Sequence, residues 1–268
     1  MSAEARTVSA RPTWPRSPGA IAPRVLLLTS NLGAGHSRAA KAIELALLSR
    51  VPAAQVRTLD LWSLMHASVA DTVRQTYLRL VQAHPDLYES IYQLDERTWR
   101  RIIDGDEPPP PQLSAGLERI TSMLAGGGAR VPHVGPYALD CALLPLICSA
   151  IPGGARTLPW SDVRMPLLKW IWARLARRLE RRVLAFRPDV VIGTQMIPAA
   201  LFSTVKARTR LAIPSIAVPT DFGVHDFWLQ PGTDAYCVAH PAIQGVPQSS
   251  TARVLATGVP LMPGFARP

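Results

Sequence analysis

Short apolar runs recur between polar, glycine-rich and proline-rich breaks, and their lengths set the elements. Arg24-Val25-Leu26-Leu27-Leu28-Thr29-Ser30 reads as a buried strand, and Ser37 to Leu48 follows as a helix. Gln55 to Leu61, Asp189 to Thr194, Ser215 to Val218, Tyr236 to Ala239 and Arg253 to Ala256 read as further strands. Pro198 suits the first turn of a helix running through Lys206. A longer helix is expected from Pro166 to Phe186, because Leu168, Ile171, Leu175, Leu179, Val183 and Phe186 keep helical spacing. Helical segments are also expected over 72–83 and 87–103. Pro108 to Pro111, Gly126 to Gly128 and Pro152-Gly153-Gly154 interrupt the chain, so residues 104–165 read as irregular.

Strands that alternate with helices predict an α/β fold, a Rossmann-like doubly wound parallel sheet. In such sheets ligands bind beyond the carboxyl ends of the strands. The polar segments around His36, Gln195 and Asp221 each follow a strand, so they fall on one edge.

The sharpest local feature is Asn31-Leu32-Gly33-Ala34-Gly35-His36, between the first strand and its helix. Glycines there let the backbone approach a ligand, and the helix start offers N–H groups and a positive dipole end to an anion. His36 adds a proton-transfer group. The dinucleotide fingerprint fails because Arg38 stands where a third small residue is needed, and the Gly-Lys-Ser/Thr ending of a P-loop is absent. A plain glycine turn with a helix-terminal histidine fits the same residues. Asp60, ending the second strand, is either a ribose-holding acid or a polar strand end, and the incomplete glycine pattern favours the latter.

The 268 residues allow one large α/β domain or two small ones, and 48% hydrophobic residues provide for a substantial core. A formal charge of +10 favours anionic partners. Cys141, Cys148 and Cys237 form neither a CxxC nor a histidine-paired pattern, which points away from a disulfide framework or a zinc site and towards a reducing cytoplasm. Residues 1–23 carry arginines and prolines without an apolar core and read as a disordered tail rather than a secretory signal. The most apolar run, Cys141 to Ile151, falls short of the roughly 20 residues a membrane-crossing helix needs.

In the helix expected from Pro166, Arg174, Arg177, Arg178, Arg181 and Arg182 gather away from the apolar stripe, and Trp170 and Trp172 stand near its start. Two readings fit: a basic helix lying on an anionic membrane, with these tryptophans and Arg174, Arg177, Arg178 and Arg181 in contact, or a sheet-covering helix with solvated arginines. Nucleic-acid binding lacks a module, a zinc pattern or aromatics interleaved with the arginines.

Leu27 to Ala40, with Gly33-Ala34-Gly35-His36 at its centre, closely resembles the amino-terminal signature of the monogalactosyldiacylglycerol synthase and processive diacylglycerol glucosyltransferase family. Ala83-His84-Pro85-Asp86-Leu87-Tyr88 with Ile91-Tyr92, Arg187-Pro188-Asp189-Val190-Val191, Thr220-Asp221-Phe222-Gly223-Val224-His225 with Trp228, and Thr257-Gly258-Val259-Pro260 agree in order and character. The resemblance covers about residues 24–103 and 166–265.

It implies the amino-terminal, acceptor-binding half of a GT-B glycosyltransferase, spanning residues 24–260 here, with 261–268 as the start of a linker. By that resemblance His36 is the general base for a diacylglycerol hydroxyl attacking a UDP-galactose or UDP-glucose donor with inversion. Gly33, Ala34 and Gly35 approach donor diphosphate and acceptor. Asp221 and His225 shape the cleft, and Gln195 and Pro198 form a wall where many relatives carry His-Pro. No metal or cofactor is implied, and the place is the inner face of the cell membrane, peripheral and cytoplasmic. Relatives pass into a donor domain after Thr257-Gly258-Val259-Pro260, whereas this sequence stops at Pro268, so a complementing donor domain, in cis or from a separate donor-domain partner, is expected. Rival readings are a non-catalytic membrane-binding module and a nicotinamide-dependent oxidoreductase.

Overall fold

A computed structural model describes residues 22–31, 34–65, 160–224, 226–243 and 252–265. Gly33, His225, Cys141, Cys148, residues 1–21, the helices expected over 72–103 and the irregular stretch as far as 159 lie outside the described residues.

The described elements run β1 (Arg24–Thr29), α1 (Ala34–Arg50), β2 (Gln55–Asp60), α2 (Trp160–Phe186), β3 (Val190–Gly193), α3 (Met196–Thr209), β4 (Ser215–Ala217), β5 (Ala235–Val238) and β6 (Arg253–Ala256). They form one six-stranded sheet in the order β2-β1-β3-β4-β5-β6. Every pairing is parallel. This is a Rossmann-like α/β fold, as expected for one half of a GT-B glycosyltransferase. The chain leaves β1 towards β2 and later returns to β3 on the other side, so β1 and β3 flank the topological switch point where such sheets bind ligands.

The all-apolar Val25 to Leu28 run explains the central place of β1. Val25 and Leu27 pack with Ile192 and Val218 against Ile43 and Leu47 of α1. Leu26 and Leu28 face the opposite side, with Leu175, Leu179 and Val183 of α2 and Leu201, Phe202 and Val205 of α3. Each fully buried leucine contributes about 1.5–3 kcal/mol, so a polar residue in β1 would weaken the layer it faces. At the end of β3 the lack of a side chain on Gly193 lets α3 come close: a Cβ there would sit 2.8 Å from the Cβ of Ala199.

Two helix starts differ from the sequence reading, whereas Pro198 falls in the first turn of its helix as expected. The helix α1 begins at Ala34, so His36 lies in its first turn rather than ahead of it. The helix α2 begins at Trp160, so residues 160–165 are helical and Pro166 is internal. A single lost N–H is tolerated there because the long helix is held by packing of its later turns against the sheet. Finally, α3 starts at Met196, two residues before Pro198, which stays within the first turn where its missing N–H costs nothing.

Candidate active site at the carboxyl edge of the sheet

Three strand ends meet at the His36 ring. His36 comes from the first turn of α1 after β1, Thr194 follows β3, and Thr220 follows β4. His36 Nδ1 lies 2.9 Å from the Thr194 carbonyl oxygen and 3.2 Å from Thr220 Oγ1. The Thr194 hydroxyl, fully buried, lies 3.1 Å from the His36 carbonyl and 3.0 Å from Thr29 Oγ1. Thr194 thus holds residue 36 at both ring and backbone. Its carbonyl is available because the residue stands between the last strand residue, Gly193, and the helix cap, Gln195. A carbonyl only accepts, so Nδ1 is the donor in this contact, and in the neutral ring that arrangement leaves the lone pair on Nε2.

Around this centre the corner is tied down locally. Asp60 Oδ1 accepts from the backbone N–H of Asn31 at 3.2 Å and of Trp62 at 3.3 Å. Burial pushes the Asp60 carboxyl up, and those two N–H groups offset part of that rise. Its Oδ1 is therefore spent on the loop and a turn start, which is the polar strand-end role. Trp62 Nε1 donates to Ser30 Oγ at 2.8 Å across the same corner.

The other expected site residues divide. Ala34 and Gly35 are exposed in the first turn of α1, and a Cβ on Gly35 would meet nothing among the described residues within 4 Å. Asp221 is exposed in the turn after Thr220, and the next residue, Phe222, is 78% exposed. Gln195 is buried, and its side-chain oxygen accepts from Ile197 N–H at 2.9 Å, capping α3. Only its amide NH2 remains for a ligand, and Pro198 is buried in the helix wall behind it. Thr194 and Thr220 went unnoticed as site residues. Both were legible as polar side chains closing apolar strands, but their partner is distant in sequence.

The tryptophan part of the membrane face is corrected. Trp170 and Trp172 are each 5% exposed. Trp172 falls on the same helical stripe as Leu175, Leu179 and Val183, packs in the core and donates from Nε1 to Thr204 Oγ1 at 3.0 Å. Trp170 lies under the Arg174 guanidinium, 5.2 Å from its ring centre. Arg178 is also buried, donating to the Leu64 carbonyl at 2.7 Å. Arg177 and Arg181 are exposed. Among the described residues, Arg174, Arg177, Arg178, Glu180, Arg181 and Arg208 line an open cleft of about 460 Å³ between α2 and α3. Arg208, which the sequence reading did not include, reaches Glu180 at 3.7 Å.

Fold and site define a Rossmann-like α/β domain whose switch point carries a histidine with one ring nitrogen fixed. Sequence comparison gives the relationship. The family model described as Monogalactosyldiacylglycerol (MGDG) synthase matches residues 162–261, which include Thr194, Thr220 and Asp221 but not His36. Proteins named processive diacylglycerol beta-glucosyltransferase, from Bacillus thuringiensis (strain Al Hakam), Bacillus cereus (strain AH187) and Bacillus anthracis (strain A0248), are each 23% identical over 249 residues, or 91% of this chain. The same match covers 46% of each relative, so the chain spans about half the length of the curated relatives it matches. No solved structure matches. The chain resembles the monogalactosyldiacylglycerol synthase and processive diacylglycerol glucosyltransferase family, as its motifs led us to expect.

Proposed function

We propose that this chain is the acceptor-binding half of an inverting lipid hexosyltransferase, which moves glucose or galactose from a UDP-hexose to the free hydroxyl of diacylglycerol or a similar lipid. The observation that carries the reading is the fixed His36 ring: Nδ1 is held by Thr194 at the switch point, which leaves Nε2 as a base. Nε2 takes the hydroxyl proton while the acceptor oxygen bonds to the anomeric carbon. The bond from that carbon to the diphosphate breaks, and the electron pair leaves with UDP. Inversion turns an α-linked donor into a β-linked glycolipid.

The open space at Gly35 supports close approach of a ligand to the first turn of α1, where N–H groups suit diphosphate charge. Exposed Phe222, two residues from Thr220, gives the mouth an apolar surface suited to acyl chains. The arginine-lined cleft between α2 and α3 supports attachment to an anionic membrane, on the cytoplasmic side. Attachment rather than spanning is in keeping with the described helices, none of which is long and apolar enough to cross a membrane. In this reading the nucleotide sugar is held mainly by a second, donor-binding half, as the resemblance implies.

The test joins residues 1–268 to the donor-binding half of a processive diacylglycerol glucosyltransferase and supplies UDP-glucose or UDP-galactose with diacylglycerol in vesicles. A β-linked glycolipid is expected. Residues 1–268 alone should give hardly any, because orienting the donor supplies much of a bimolecular rate enhancement. No product from the joined protein would count against the function, and robust synthesis by residues 1–268 alone would contradict the division of labour.

A further inference from the structure

At Nδ1 the His36 ring meets a peptide carbonyl and a threonine hydroxyl, at 2.9 Å and 3.2 Å. We propose that Thr220 is a positioning residue, which with the Thr194 carbonyl forms a neutral clamp that keeps the proton on Nδ1 and aims Nε2 at the acceptor hydroxyl. This rests on the reading of His36 as the base.

The hydrogen-bond inventory gives the reason. The Thr194 carbonyl can only accept, so a proton must sit on Nδ1 for that contact to be favourable. Once it does, Thr220 Oγ1 presents a lone pair to the same N–H, a shared bond in which the hydroxyl is the second acceptor. Two acceptors on Nδ1 act in the same direction in both states of the ring. Before transfer they hold the neutral imidazole in the form whose Nε2 is unprotonated. After transfer, when both nitrogens carry hydrogen, they face the positive ring with oxygen lone pairs and stabilise it.

The geometry also sets orientation. Thr194 and Thr220 follow adjacent strands, β3 and β4, whereas His36 rides on α1 beyond β1. The ring is therefore gripped from the far side of the switch point. A half-turn of the ring about χ2 would put Cδ2 where Nδ1 stands and lose both contacts. Thr220 is only partly buried, on a loop whose next three residues are exposed, so its hydroxyl can respond to an acceptor entering the mouth.

Long-range proton–nitrogen NMR on the 268-residue chain, with the ring nitrogens labelled, reads the tautomer without any turnover. Neutral His36 should show the Nδ1–H form, the reverse of the preference of histidine free in water. Thr220→Val should mix in the Nε2–H form, and Thr220→Ser should restore the wild-type signature. In the joined two-half enzyme, Thr220→Val should lower kcat about fivefold with KM little changed, the scale of one hydrogen bond, and Thr220→Ser should recover it. An Nε2–H ring in the unmodified protein would overturn the clamp. An unaltered tautomer and kcat in Thr220→Val would overturn the role of Thr220. An Nδ1–H ring in a protein whose His36→Ala variant stays active would uphold the clamp and remove only the base assignment, so the two failures are separable.

Discussion

Thr194 holds His36 twice, accepting from ring Nδ1 at 2.9 Å through its carbonyl while its hydroxyl lies 3.1 Å from the His36 carbonyl. The two residues are 158 positions apart, and the sheet order that sets β1 beside β3 brings them together. A glycine turn with an unconstrained histidine would not need that double contact.

Two glycines should respond oppositely to alanine. At Gly193 a Cβ would stand 2.8 Å from that of Ala199, so Gly193→Ala should cost about 1–3 kcal/mol as β3 and α3 are forced apart. At Gly35 nothing described lies within 4 Å and the backbone is helical, so Gly35→Ala should leave stability unchanged or raise it by up to about 1 kcal/mol. Activity of the joined enzyme should nonetheless fall in Gly35→Ala, because the new methyl occupies the space through which a ligand meets the first turn. Denaturant midpoints and turnover on the same two variants check this.

Much of this architecture was legible in the sequence. The β1 run Val25 to Leu28 is apolar on both faces, which marks a central parallel strand, and the stripe from Leu175 to Phe186 faces the core as its spacing predicts. Boundaries were harder. Ala34 and Gly35 carry no polar side chain that could announce a helix start by capping, and Pro166 is an effective helix-start signal that the long α2 overrides. Trp170 and Trp172 looked like interfacial anchors because tryptophan beside arginine is common to membrane helices and to buried stripes, and only packing distinguishes them. Gln195 is legible as a polar residue following β3, but that its side-chain oxygen caps α3 shows only in the structure.

Asp234 and Asp60 should give stability opposite dependences on pH. Burial alone would push the Asp234 carboxyl up, but the Ser215 N–H and Lys206, with Nζ at 2.9 Å, outweigh it and hold the group below its ordinary value of 3.8. Its stabilisation is present above pH 3.8 and is lost as pH falls through the folded value. Asp234→Asn should therefore cost about 1 kcal/mol or less at neutral pH, given its half-exposed side chain, and less still in acid. Asp60 is held above 3.8 by burial, so the native state keeps its proton longer and the wild type loses stability as pH rises through that window. Asp60→Asn keeps an acceptor oxygen and should compare better with the wild type as pH rises. Denaturant midpoints between pH 3 and 7 would show the two trends diverging.

Membrane attachment should follow the exposed arginines rather than the tryptophans. Each basic residue near an anionic surface contributes roughly 1 kcal/mol, so Arg177→Glu with Arg181→Glu should sharply reduce flotation with anionic vesicles. Salt should weaken attachment of the wild type by screening. Equal flotation with neutral and anionic vesicles, insensitive to salt, would contradict an electrostatic attachment.

The most direct test of the account is turnover of His36→Ala in the joined two-half enzyme, measured as glycolipid formed from UDP-hexose and diacylglycerol. Losing a general base should lower kcat by about 10²- to 10⁴-fold while the fold persists by circular dichroism and thermal melting. A His36→Ala enzyme that folds and turns over at close to the wild-type rate would contradict the assignment of His36 as the base.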